Sequence, residues 1–122
     1  MILDSNVVVY ACGAGREGET ARAFVKRHGP SASAVTVVET LGYHRLGEAE
    51  RMLLTTFFDA TTVHPVTAEV IREAVRLRQQ RRLSLGDALV AGTALALGLP
   101  LATRNLADFR WIDGLVLIDP FA

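Results

Sequence analysis

The chain has a single cysteine, Cys12, so no disulfide can close within it and its stability has to come from packing. A reducing compartment is the simplest setting for such a composition. Lysine is nearly absent, with Lys26 alone, and neither sign of charge is in excess: 13 basic residues balance 13 acidic ones. That balance excludes a domain coated uniformly in positive potential. Long apolar runs are missing too. The longest uncharged stretch, Ala88 to Thr103, is sixteen residues interrupted by Gly98 and Pro100, too short and too broken to cross a bilayer. Met1-Ile2-Leu3 leads at once to Asp4, with no basic segment of the kind that opens a signal peptide, so a cytoplasmic location without membrane contact is expected. Repeats, low-complexity tracts and linkers are absent as well. The 122 residues, half of them hydrophobic, suit one domain over residues 1–122 with a core of moderate size.

What is present is an alternation of short apolar runs and helical segments. Ile2-Leu3 reads as a buried strand ending at Asp4, and Val7 to Tyr10 as the helical turn after it. Gly13, Gly15 and Gly18 mark Ala11 to Gly18 as a loop, and a helix is expected over Glu19 to His28 with Ala23 and Phe24 facing inward. Gly29-Pro30 ends it. Ser31 to Val35 suits a strand, after which Thr36 is placed to cap a helix reaching Leu46. A second helix over Glu48 to Phe58 follows, then a strand at Thr62 to His64. Thr67 caps a long helix to Arg82, and Ser84 caps another that ends at Gly98. Pro100 to Thr103 and Leu115 to Ile118 read as the last strands. Short strands that do not alternate in polarity, separated by helices, suit an α/β fold with a mostly parallel sheet covered on both faces. Right-handed crossovers bring the carboxyl ends of such strands to one rim, where ligands bind.

Four carboxylates stand at that rim: Asp4, Glu39, Asp87 and Asp108 each follow a short apolar run or open a helix. Each has a plain structural reading. Asp4 suits a turn or cap, and Glu39 and Asp87 each lie three residues after a capping Thr36 or Ser84. Their coincidence at neighbouring element ends points further. Like charges that meet cost free energy, and a divalent cation removes that cost. With the four set aside, 13 basic residues face 9 acidic ones, a surround of +4 suited to a phosphate-bearing substrate. Thr103, Asn105 and Asn6 offer neutral oxygens nearby, and Arg104 offers a guanidinium for phosphate.

Four stretches together resemble the PIN-domain family, specifically the VapC-type toxins of toxin–antitoxin pairs. They are Ile2-Leu3-Asp4-Ser5-Asn6, Thr36-Val37-Val38-Glu39, Ser84-Leu85-Gly86-Asp87-Ala88-Leu89-Val90-Ala91, and Leu101 through Phe109 with Thr103-Arg104-Asn105 and Asp108 inside it. They cover the chain almost end to end in the family's order. The resemblance implies a three-layer PIN-like fold with strand order 3-2-1-4-5 flanked by helices, and a Mg²⁺- or Mn²⁺-dependent endoribonuclease. It also implies a cognate antitoxin that blocks the nuclease. Carried over by motif, Asp4, Glu39 and Asp87 are the principal acids and Asp108 the fourth, with Asn6, Thr103, Arg104 and Asn105 in support. Asn105 stands where relatives can carry an acid, which weakens the case for a second tightly held ion.

Phosphodiester hydrolysis needs an activated water, in-line placement and relief of phosphoryl charge, all of which a hard cation supplies. Mg²⁺ keeps several waters and takes only one or two carboxylates directly. Asp4 and one of Asp87 or Asp108 are therefore the expected direct ligands, with Glu39 acting through water or as general base. Two rivals compete. A phosphoacceptor receiver needs an acidic pair after its first strand and a lysine near its last; Asp4 has no acidic neighbour and Lys26 is the only lysine, so that reading fails. A PIN-like RNA- or protein-binding module without catalysis is the alternative. The apolar cluster Leu46, Leu53, Leu54, Phe57 and Phe58 is expected to be partly core and partly a docking face for an antitoxin helix or a second copy in a homodimer. The arginines from Arg72 to Arg82 form recurring basic helix faces able to meet RNA phosphates or an acidic partner, with a plain solvated face the favoured reading. Phe109 and Trp111 read as core or interface aromatics rather than a base-stacking platform.

Overall fold

The computed structural model describes residues 1–29 and 31–122. Among these residues the strands are β1 (Ile2–Leu3), β2 (Ser31–Ser33), β3 (Thr62–His64), β4 (Leu101–Ala102) and β5 (Leu117–Ile118). The helices are α1 (Ser5–Ala11), α2 (Gly15–His28), α3 (Ala34–Leu41), α4 (Glu48–Asp59), α5 (Ala68–Gln80), α6 (Leu85–Leu97) and α7 (Leu106–Phe109). Every strand pairing is parallel, as the apolar, non-alternating strands require. The expected order 3-2-1-4-5 is met in two hydrogen-bonded pieces, β3-β2 and β1-β4-β5. Strands β2 and β1 lie side by side without a ladder between them among the described residues.

Because successive strand residues face opposite ways, the sheet divides the interior into two cores. Ile2 and Leu101 face α5, α6 and α7, where Leu77, Val90, Ala91 and Phe109 are buried. Leu3 and Ala102 face α1, α2 and α4, where Val7, Val8, Val25 and Leu54 are buried. The PIN-like three-layer arrangement follows from that division. No helix among the described residues is long and apolar enough to cross a membrane.

Helix α6 behaves as its sequence dictates. The Ser84 hydroxyl accepts from the Asp87 amide at 3.1 Å, and Gly98 closes the helix in the left-handed region at φ 66°. Its small residues bring it close to α5 as well as to the sheet. A Cβ on Gly92 would stand 2.9 Å from the Val70 carbonyl oxygen, so only glycine allows this approach of two backbones.

Several elements depart from expectation. Helix α2 begins at Gly15, not Glu19, so the glycine loop shrinks to Cys12–Ala14. Gly18 is buried there against the Gly13 carbonyl, where a Cβ would collide. Glycine was read as a breaker, whereas close packing requires it inside the helix. Ala23 is exposed and Phe24 only half-buried; Ala21 and Val25 are the buried positions of α2. Ser33, rather than Thr36, caps α3 by accepting from the Val35 amide at 3.1 Å, because β2 ends earlier than Val35. Thr36 is fully buried one turn in, and α3 stops at Leu41 rather than Leu46. On α5, Ile71 and Val75 are about half exposed while Val70, Ala74 and Leu77 are buried. The short α7 adds a helix for which the sequence carried no expectation. Pro30, expected to end α2 together with Gly29, lies outside the described residues.

Candidate active site

Asp4 ends β1 and caps α1, a placement that fixes its carboxylate at the carboxyl rim of the sheet. It is 5 % exposed. Its Oδ1 accepts from the Ser5 amide at 2.8 Å, and its Oδ2 accepts from the Thr103 hydroxyl at 2.8 Å and the Asn6 amide nitrogen at 3.3 Å. Burial raises the Asp4 pKa above the ordinary carboxylate value; the bonds from Thr103 and Ser5 pull it back, and the charges of Asp87 and Glu39 push it further up.

Thr103 follows β4, which is parallel to and paired with β1, so the adjacency of Asp4 and Thr103 is a consequence of sheet register. The Thr103 oxygen also accepts from the Asn105 amide at 3.0 Å, and the Arg104 amide donates to Asn6 Oδ1 at 3.3 Å. Asn6, Thr103 and Asn105 thus belong to one hydrogen-bonded loop around Asp4. The Arg104 side chain goes elsewhere. Its guanidinium pairs with Glu17 at 2.8 Å and lies over the rings of Phe121 (4.5 Å) and Tyr10 (5.1 Å). It ties the chain end to α1 and α2, a use that its position beside Thr103 did not announce.

Glu39 reaches the rim from α3. The Ser5 hydroxyl donates to its Oε1 at 2.9 Å, and its Oε2 has no partner among the described residues. The carboxylate lies directly over Gly86, where a Cβ would overlap Glu39 Oε2. Gly86 is the residue against the Glu39 carboxylate that sequence reasoning missed; the available signal was a glycine immediately before Asp87 in a helix that did not need one.

Asp87, in the first turn of α6, is half-buried. Desolvation raises its pKa, the Ser84 hydroxyl lowers it, and the neighbouring charges of Asp108 and Glu39 raise it again. Asp108, in α7, is exposed. The repulsions at the rim thus act on two carboxylates: Asp87 and Glu39 act on Asp4, and Asp108 and Glu39 act on Asp87. No three His, Cys, Asp or Glu side chains among the described residues stand close enough to hold an ion directly. The donors are all oxygen, with neutral hydroxyls and amides between them. That set suits a hard cation that keeps part of its water and takes one or two carboxylates directly.

A groove of about 690 Å³ opens beside this rim, with Ser5, Asn6 and Glu39 at one side and Val9, Tyr43, Leu46 and Leu54 among its apolar walls. Val9 and Tyr43 are more than half exposed there. Of the expected apolar cluster, Leu54 and Phe58 are buried, Leu53 is exposed, and Leu46 with Leu54 lines the groove.

The PIN-domain family model matches residues 1–115. No curated protein matches the sequence. Among solved structures, a toxin–antitoxin complex from Klebsiella pneumoniae is 25% identical with a TM-score of 0.76, covering 98% of this chain and 96% of that one. DNA-bound VapBC from Salmonella typhimurium is 20% identical with a TM-score of 0.80, covering 98% and 96%. VapBC2 from Rickettsia felis, bound to a DNA fragment from its promoter, is 20% identical with a TM-score of 0.79, covering 96% of both chains.

Proposed function

This chain belongs to the PIN-domain family, and from that premise we propose that it is a metal-dependent endoribonuclease, the toxin of a toxin–antitoxin pair. The observation that carries this reading is Asp4. It is a buried carboxylate, held by three donors, whose charge is opposed rather than relieved by the acids around it. A residue kept for packing alone would be replaced at little cost by a neutral one. Buried charges are paired or coordinate metals, and Asp4, although hydrogen-bonded, has no cationic side chain beside it among the described residues.

In this reading Asp4 and Asp87 or Asp108 would hold Mg²⁺ or Mn²⁺. When bound, the ion supplies a lowered pKa for water and neutralises phosphoryl charge. Thr103 and Asn6 fix the Asp4 carboxylate through bonds to Oδ2. Ser5 occupies one Glu39 oxygen and leaves the other open to take the proton of the attacking water. As the new P–O bond forms, the bond to the leaving ribose oxygen breaks, and that oxygen would take its proton from solvent water at the rim, which is open at Asp108. The apolar groove beside Glu39 would receive a segment of the antitoxin, whose docking would cover the rim. A homodimer would have to cover Ile71 and Val75, one helical turn apart on α5 and both about half exposed. The setting is cytoplasmic, where RNA and antitoxin are both available.

The test is cleavage of total cellular RNA by the purified chain with Mg²⁺, Mn²⁺ or EDTA, with the cut ends mapped. Discrete cuts in Mg²⁺ or Mn²⁺ that vanish in EDTA are expected. Intact RNA under all three conditions, from folded protein, would remove the nuclease reading and leave a binding module.

A further inference from the structure

A second cleft, of about 310 Å³, includes Asp87 and Asp108 and shares no lining residue with the apolar groove. It runs between the extended segment that joins α5 to α6 and the turn after α7. Arg81, Arg82 and Ser84 line one part; Asp87, Asp108 and Trp111 line the rest. Its volume is at the small-ligand end of the range for binding sites, about 300–1,000 Å³.

The charges in this cleft are unusually placed. Neither Arg81 nor Arg82 has a carboxylate within 4.0 Å among the described residues, although two carboxylates share their cleft. Opposite walls thus stand apart instead of collapsing into ion pairs. Arg81 is held in place from behind. Its guanidinium lies over the Trp111 ring at 5.1 Å, and the Trp111 indole N–H donates to the Asp108 carbonyl at 2.9 Å. The aromatic therefore couples the basic wall to the segment that carries Asp108. The first turn of α6 opens on the same side and adds its positive end.

We propose that this cleft holds the RNA strand beside the bond to be cut, with Arg81 and Arg82 as phosphate-positioning residues and Trp111 as the support that orients Arg81. The inference rests on the nuclease reading and deepens it. A phosphodiester strand is the ligand that satisfies both walls together. One phosphate lies at the acids, where a cation is needed, and its neighbour lies at the arginines, where none is. An acidic peptide would meet Arg81 and Arg82 but bring further carboxylates against Asp87 and Asp108. The flat face of the Arg81–Trp111 pair also suits an unpaired base, which stacks on guanidinium or aromatic surfaces without regard to sequence. Arg82 carries no such support and acts as charge alone.

The experiment compares wild type with Arg81→Ala, Arg82→Ala, the double variant and Arg82→Lys. Binding of a fluorescent mixed-sequence single-stranded RNA is followed by anisotropy over a range of salt, in an Asp4→Asn background that prevents cutting. Cleavage of an oligonucleotide carrying a mapped cut site gives KM and kcat for the same changes in the active chain. Each alanine is expected to weaken RNA binding by about tenfold and to lower the salt slope by about 0.7. It should raise KM while kcat stays within about threefold. Arg82→Lys should keep the salt slope, which separates charge from folding. If wild type cuts RNA and the double variant matches it in slope and KM, the cleft is not the RNA path, although the nuclease reading stands. Should the double variant lose antitoxin binding instead, with RNA binding intact, the cleft is a protein surface and the proposal is wrong. If wild type neither binds nor cuts RNA, both readings fail together.

Discussion

Asp4→Asn should abolish cleavage, by about a thousandfold or more in kcat, while making the metal-free protein more stable at neutral pH. The two effects have one cause. Asparagine caps a helix as well as aspartate does, so α1 keeps its start. Its side-chain oxygen still accepts from the Ser5 amide, and its NH₂ group can donate to the Thr103 oxygen in place of the bond it received, at the loss of the 3.3 Å bond from Asn6. Against that loss stands the removal of a buried charge opposed by Asp87 and Glu39. The pH dependence carries the sign. Because the folded-state pKa of Asp4 is raised, the native protein binds more protons than the unfolded chain between the usual carboxylate value, about 4, and the raised one. Stability of the metal-free wild type therefore falls as pH rises through that window and is fully lowered above it. Asp87 adds to the same slope. Urea unfolding in EDTA across this range should show the decline in wild type and a flatter curve in Asp4→Asn. A variant less stable than wild type at neutral pH would mean that the site's hydrogen bonds outweigh its repulsion.

Gly86→Ala should lower kcat by about a hundredfold with little loss of stability. The added methyl group would take the space now filled by the Glu39 carboxylate. That carboxylate is the end of a flexible, exposed side chain and can swing away at small cost. Alanine is also the better helix former in the first turn of α6, which offsets part of any strain. Folding is thus preserved while the proton acceptor is moved. A double-mutant cycle identifies the cause: adding Gly86→Ala to Glu39→Ala should reduce kcat no further. Additive losses would show that the methyl group acts on something other than Glu39.

The chain shows its organisation most clearly where boundary chemistry is local. Ser84 and Gly98 delimit α6 because a cap and a left-handed stop are properties of a few consecutive residues. The same holds for Thr67 at the start of α5, whose hydroxyl accepts from the Val70 amide at 3.2 Å. Where two elements compete for the same segment, local signals mislead. Thr36 and Ser33 are both suitable caps for α3, and the length of β2, a tertiary property, selects Ser33. Gly18 reads as a breaker until the Gly13 carbonyl is seen to lie against it.

The rim positions of Asp4, Asp87 and Asp108 were legible because each follows a strand or lies in the first turn of a helix, whereas Glu39 approaches from the last turn of α3, and the capping reading that placed it there was wrong. Thr103 beside Asp4 follows from the parallel register of β1 and β4. The finer parts were not legible, since they depend on how side chains cross between elements. Arg104 looked unpartnered in the sequence, yet its guanidinium pairs with Glu17, far off along the chain, and lies over the Phe121 ring. Trp111 looked like plain packing until its indole was found under Arg81. Gly86 carries no charge and no periodicity, and its role is visible only with Glu39 above it.

The central claim is that repulsion among these carboxylates is tolerated for the sake of a bound cation. Titration of Mn²⁺ into metal-free wild type and Asp4→Asn, followed by calorimetry and by thermal unfolding, tests it most directly. Wild type should bind Mn²⁺ and gain about 2.7 kcal/mol of stability at a hundredfold excess over Kd, while Asp4→Asn should show neither heat nor shift. Equal binding by both proteins, or none by a folded wild type, would contradict the account.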